Sequence, residues 1–199
     1  MSKDVLVFVE LKDGTVRKVS FELLSKGKEF AERFSSAVVA VVLGSGLKQI
    51  GEELRSYADK VVVVDQEELK EYRWDSYASV LELVIRKEDP ALVFGASTVT
   101  GKDFFPRLAV RLNTGIVCDA IGIEFDDGKV KVKKPLFGGR VISWVTSTDG
   151  SMLLVTFRPN SFGVEKRELK GEVIEEVLKV VKDDRIKVLN VEKAVSAKG

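Results

Sequence analysis

The sequence predicts an α/β fold on a parallel sheet, with antiparallel strands in its C-terminal third. Three observations carry that expectation. Short apolar runs alternate with segments of three-to-four spacing from Val5 to Leu112. Two of those runs, 37–43 and 61–64, are almost purely apolar, as strands covered on both faces require. From about Val117 the rhythm changes to short alternating runs separated by Asp-Gly and Gly-Gly pairs, which are hairpin signals. A chain of 199 residues, 45% of them hydrophobic, is long enough to bury one core with a small appended unit.

The elements follow in order. Residues 5–11 branch and alternate as a strand, and Asp13-Gly14 turns the chain. Ser20 is placed to cap a helix that carries Leu23, Leu24, Gly27, Phe30, Ala31 and Phe34 on one face. Residues 37–43 are the second strand, closed by Gly44-Ser45-Gly46, and 47–57 are a short helix. The third strand is 61–64. Asp75 is the expected cap of a helix carrying Val80, Leu81, Val84 and Ile85. Asp89-Pro90 stops that helix, because the residue before a proline is driven out of the α region. The fourth strand, 91–96, leads through a Gly-bounded loop into a helix with Asp103 as its cap and Pro106 in its first turn. Strands and helices in this alternation give parallel pairs with right-handed crossovers.

Beyond that helix, runs at 120–124, 130–134, 141–147 and 153–157 are separated by Asp126-Asp127-Gly128, Gly138-Gly139 and Asp149-Gly150. In the tail, Val173, Ile174, Val177, Leu178 and Val181 have helical spacing, whereas 186–191 reads as a strand.

Composition removes several function classes. Lys plus Arg total 32 and Asp plus Glu 31, for a net charge of +1, so no global field draws nucleic acid or an anionic membrane. Histidine is absent, which excludes Ser-His-Asp and Cys-His catalysis and every His-containing zinc site. The single Cys118 forms no internal disulfide and reads as a buried thiol of a reducing compartment. With no apolar signal segment at the start and no apolar run that spans a bilayer, the expected location is the cytoplasm. Asp126-Asp127 and Asp183-Asp184 fall in turn-like contexts and read as solvated rather than metal-binding. Trp74 and Trp144 stand apart and read as core or interface residues. Nothing assembles a nucleophile, a base and an oxyanion site, so no metal site and no catalytic residue are expected.

One loop nearly spells a phosphate-binding motif. A P-loop has four residues between its glycines, then Lys and a hydroxyl residue. Here five residues separate Gly95 from Gly101, and Asp103 stands where the magnesium-binding hydroxyl belongs. At Gly44-Ser45-Gly46 the third glycine of a dinucleotide fingerprint is replaced by Gln49. A module that holds AMP or ATP in the crevice from Ser97 to Lys102 is nonetheless the alternative reading, and a bare structural domain a third.

Three motifs occur in order over most of the chain: Gly101-Lys102-Asp103 with Pro106-Arg107-Leu108-Ala109, Leu112, Gly115 and Asp119; Pro135-Leu136-Phe137-Gly138-Gly139; and Thr156-Phe157-Arg158-Pro159-Asn160-Ser161-Phe162. In this the chain resembles the N-terminal domain of electron transfer flavoprotein alpha subunits. The resemblance implies a Rossmann-like fold of the adenine-nucleotide alpha-hydrolase type over residues 1–195, with 196–199 a tail or linker remnant. It also implies strands near 172–181 and 185–193, against the helical spacing of the first. The implied function is that of an electron carrier: a heterodimer with a beta subunit carries FAD and passes electrons from dehydrogenases to a quinone reductase or another acceptor. In some members NADH is the donor and its electrons are bifurcated. The family's Ser-Gly-Gly-Arg-Gly-type segment, in a second domain that holds most of the FAD, has no match here, so this chain alone is expected to bind little or no flavin. Ser97, Lys102, Arg107, Arg140 and Arg158 are the candidates for cleft or interface roles. The hairpin at Phe137, Gly138 and Gly139 is the candidate for an apolar docking surface.

Overall fold

The computed structural model describes residues 4–148 and 150–192. Asp149 of the expected Asp149-Gly150 turn and the 193–199 tail lie outside the described residues. In chain order the elements are β1 (Val5–Val9), β2 (Leu11–Lys12), β3 (Thr15–Val16), α1 (Lys18–Glu32), β4 (Val38–Gly44), α2 (Lys48–Leu54), β5 (Lys60–Asp65) and α3 (Trp74–Glu88). There follow β6 (Leu92–Ala96), α4 (Val99–Leu112), β7 (Gly115–Ala120), β8 (Gly122–Asp126), β9 (Lys129–Leu136), β10 (Val141–Val145), β11 (Leu153–Phe157) and β12 (Glu172–Glu175).

The central sheet has seven strands, in the order β12-β5-β4-β1-β6-β11-β7, and every pair is parallel. Its interior strands are buried on both faces, which is why they read as unbroken apolar runs. Along β1 the side chains divide between two layers: Val5, Val7 and Val9 face the layer of α1 and α2, Leu6 and Phe8 that of α3 and α4. Phe8 meets Phe104 edge-on at 5.1 Å, and Phe105 closes the cluster at 5.9 Å.

The antiparallel strands of the C-terminal third form a separate three-stranded sheet, β10-β9-β8, rather than ending the central one. Ile123 and Val132 plug that sheet into the α1-side core. The run 153–157, expected to be antiparallel, is instead β11, which returns to the central sheet parallel to both β6 and β7 because it fills the gap between them.

Several expected boundaries shift, each because a distant partner claims the capping side chain. Ser20 lies within α1, whose N-cap is Arg17, and its hydroxyl accepts the Glu10 N–H at 2.8 Å. Asp75 is inside α3, where its carboxylate receives Arg73 at 2.6 Å and the Asp183 N–H at 2.5 Å. α4 starts at Val99, earlier than Asp103 allows, because the Thr98 side chain accepts the Gly101 N–H at 3.1 Å. Asp103 accepts the Tyr72 hydroxyl at 2.7 Å instead, and Pro106 falls inside the helix rather than in its first turn. Cys118 is half-buried rather than buried.

In the tail, the strand near 172–181 is realised as β12 alone, parallel to β5. The helical spacing is not used: Val177 is 87% exposed. The expected strand near 185–193 does not form over 185–192. Beyond β12 the chain is held by side chains that imitate a β ladder. Gln66 bonds both backbone groups of Leu178, at 2.8 and 3.0 Å, and Ser79 accepts the Val181 N–H at 3.1 Å. Leu178 and Val180 meanwhile pack on the α3 side of the core.

Candidate functional site

The strand order reverses between β1 and β6, and open α/β sheets place their ligand crevice at that switch point, outside the carboxyl ends of the strands. Here it is filled from within. β1 runs straight into Glu10, whose side chain is 6% exposed, and β6 into Ser97 and Thr98. The Thr98 hydroxyl donates to Glu10 Oε2 at 2.6 Å, and Arg17 donates to Oε1 at 2.7 Å. The β2–β3 hairpin folds over this end, fixed by the Arg17 N–H on the Glu10 carbonyl at 2.9 Å. The remaining cavity, lined by Phe8, Glu10, Leu43, Tyr72, Tyr77 and Thr100 among others, holds about 70 Å³.

A second cluster gathers three of the candidate residues, Ser97, Lys102 and Arg158. At the end of β7, Asp119 adopts φ 65, a left-handed conformation that interrupts the β7–β11 register. Its N–H donates to Ser97 Oγ at 3.1 Å, and Ser97 donates to Thr156 Oγ1 at 2.8 Å. Its carboxylate receives Arg158 at 2.6 Å and has Lys102 at 3.8 Å. Hydrogen bonding to Arg158 holds the Asp119 carboxyl below the usual carboxylate range, against the opposing effect of partial burial. Arg158 and Lys102 therefore meet at the Asp119 carboxylate and Ser97 at its backbone N–H, which ties the ends of β6, β7 and β11 together. Arg158 is 45% exposed, so Arg158→Ala is expected to lower stability by less than about 1 kcal/mol in urea unfolding. A larger loss would show that the pair is a fold determinant.

The remaining candidates lie elsewhere. Arg107 stacks over Trp74 at 4.4 Å and pairs with Asp103 at 3.6 Å, away from Asp119. Phe137, Gly138, Gly139 and Arg140 form the exposed tip between β9 and β10. Phe137, 79% exposed, takes φ 50, and the turn closes through Gly138 and Gly139 at φ 69 and 91. β10 lies at the edge of its sheet, with Val141, Ile142 and Trp144 each 43–47% exposed.

Sequence reading missed Glu10, Arg17 and Thr98. Glu10 and Thr98 left a signal, a carboxylate directly after one apolar strand and a hydroxyl residue two positions after another; Arg17 left none. What pairs them, across 88 residues, is the adjacency of β1 and β6.

These features define a Rossmann-like α/β domain with an occupied switch point and a free apolar hairpin. The chain belongs to the electron transfer flavoprotein family: the electron transfer flavoprotein domain matches residues 5–184. It is 36% identical over 169 residues to the electron transfer flavoprotein subunit alpha of Bacillus subtilis, covering 84% of this chain and 51% of that one. The corresponding subunit of Clostridium acetobutylicum is 37% identical over 163 residues, 80% of this chain and 48% of that one. A subunit of the NAD- and ferredoxin-dependent lactate dehydrogenase of Acetobacterium woodii is 30% identical over 167 residues, 83% and 40% of the two chains. The chain thus spans about half the length of the curated alpha subunits it matches. The family is one of electron carriers associated with FAD.

The crevice at the switch point does not fit that flavin. The 70 Å³ left at the switch point holds about two waters, whereas cofactor pockets run to hundreds of Å³. Larger basins lie elsewhere. One, of about 420 Å³, shares Arg17 with the Glu10 site, is lined also by Lys12, Lys18, Glu22 and Asn160 and has no aromatic ring. Another, of about 470 Å³, is an apolar groove at the amino edge between Phe30, Phe34 and Phe125. A further one, of about 390 Å³, lies between Lys26, Glu29 and Phe162. Among the described residues no cluster of His, Cys, Asp and Glu could hold a metal ion, and no helix is long and apolar enough to cross a membrane.

Proposed function

We propose that this chain is the scaffold domain of an electron transfer flavoprotein alpha subunit, which docks a beta-type subunit through the β9–β10 hairpin. The observation that carries the reading is the hairpin itself. It combines an edge strand, three half-exposed apolar side chains along it, and a phenylalanine displayed on a strained backbone at its tip. An open strand edge offers main-chain hydrogen bonds to an added strand, while Trp144 and Phe137 supply the aromatic anchors that dominate interface energetics. Lys133, 5.8 Å from the Trp144 ring, and Arg140 give the surface a basic rim. In this reading FAD is carried by the assembled complex, with this chain alone binding none. The complex moves electrons from dehydrogenases to an acceptor such as a quinone reductase.

The test is association with a beta-type electron transfer flavoprotein subunit in sedimentation velocity. Trp144→Ala is expected to weaken the complex at least about tenfold, with thermal unfolding of the free chain unchanged. Equal affinity of Trp144→Ala, Phe137→Ala and the parent chain would remove the hairpin from the interface. Flavin absorbance retained by the purified chain would place the cofactor here after all.

A further inference from the structure

We infer that Glu10 serves as an internal anion at the switch-point crevice, occupying the place where folds of this kind otherwise seat a ligand phosphate. The disagreement between a nucleotide-binding fold and a crevice too small for a nucleotide is thereby resolved in one side chain.

Three features of the site suit an anion. α4 presents its positive end there, and the Thr98 hydroxyl links the first turn, through Gly101 N–H, to Glu10 Oε2. Arg17 supplies the countercharge at 2.7 Å, as a guanidinium does for phosphate. The carboxylate itself is withdrawn from water, its side chain 6% exposed, and Arg17 and Ser20 at the start of α1 bond the Glu10 backbone. A buried carboxylate without such donors is strongly disfavoured, so the constellation is a built anion site rather than an accident of packing. Its occupant is covalently tethered, present at an effective concentration no soluble phosphate matches. Val9 and Leu11, either side of Glu10, keep the carboxylate pointed inward by packing in the α1-side core.

The test is chemical rescue, and it is independent of whether the hairpin docks a partner. The parent chain is expected to show no saturable change in thermal midpoint with inorganic phosphate, formate or AMP when chloride keeps the ionic strength constant. Glu10→Ala is expected to lower the midpoint. Formate or phosphate, but not chloride, is expected to restore at least half the loss by binding the vacated position. Glu10→Gln fills the same space without charge and is expected to lose stability yet gain nothing from formate. If Glu10→Ala does not fold on expression, formate during refolding is expected to recover soluble protein. Saturable AMP or phosphate binding by the parent chain overturns the inference. So does a Glu10→Ala defect that neither anion repairs, or an equal formate response in Glu10→Gln.

Discussion

Gly101→Ala is expected to destabilise the domain by about 3 kcal/mol or more, because the added methyl group has backbone on its path. A Cβ at Gly101 would stand 1.8 Å from the Ala96 carbonyl oxygen and 3.0 Å from its carbon. That oxygen belongs to the last residue of β6 and cannot move without dragging the centre of the sheet. The helix must lift instead, and the residues that would rise with it, Phe104 and Phe105, are fully buried. For a domain of this size the loss corresponds to a thermal midpoint lower by roughly 6–12 °C.

Gly95 provides the control. A Cβ there would approach Phe105 to 2.2 Å, a clash with a ring rather than with backbone. Gly95→Ala is therefore expected to be repaired in part by Phe105→Leu, the pair being strongly non-additive, whereas Gly101→Ala is not. Urea unfolding of the three single variants and of the two doubles carrying Phe105→Leu decides it. A Gly101→Ala loss below about 0.5 kcal/mol would mean that α4 does not sit as tightly on β6 as the geometry requires. The two glycines that bounded the near-P-loop thus have a steric role: they let the helix and its phenylalanines reach the sheet.

That outcome shows where sequence reading reaches its limit. The parallel strands were legible because two-sided burial writes itself as an unbroken apolar run, as at Val38–Gly44. The hairpins at Gly128 and at Gly138-Gly139 were legible from their turns, whereas the third turn signal leads into β11, which is parallel to β6 and β7. Helix starts were not, because Ser20, Asp75 and Asp103 have the right chemistry for caps but spend it on Glu10, Asp183 and Tyr72. Local spacing holds no record of such distant claims. The tail failed for a related reason: its helical spacing is overridden by the open edge of β5, which supplies four parallel partners at Lys60, Val61, Val62 and Val63. Ser97, Lys102 and Arg158 could be singled out from sequence, but not their meeting at Asp119, since that depends on its backbone at φ 65.

Asp75→Ala is expected to cost about 3 kcal/mol and to release the segment that follows β12. Asp75 and Arg73 form an ion pair only 7% and 13% exposed, so truncation leaves a guanidinium whose remaining bond is to the Asp183 carbonyl at 2.9 Å. The same change removes the acceptor for the Asp183 N–H, and with it the last clasp after those made by Gln66 and Ser79. The dependence on pH has a defined sign. Burial alone would raise the Asp75 carboxyl, but Arg73 and the N–H groups of Asp183 and Ser76 outweigh it and lower it below 3.8. Bonds from the Arg185 side chain and backbone bring Asp183 down to about 2. Depressed carboxyls contribute stability that is complete above their unfolded values and is lost as pH falls through the folded ones. The gap between the parent chain and Asp75→Asn, which keeps the shape without the charge, is therefore expected to be constant near about pH 6 and to shrink toward about pH 2.5. Hydrogen-exchange protection factors at the Val181 and Asp183 amides should fall over the same interval, ahead of those of the β4 and β1 amides. A gap that stays constant into acid would assign the clasp to packing of Leu178 and Val180 rather than to the Asp75 charge.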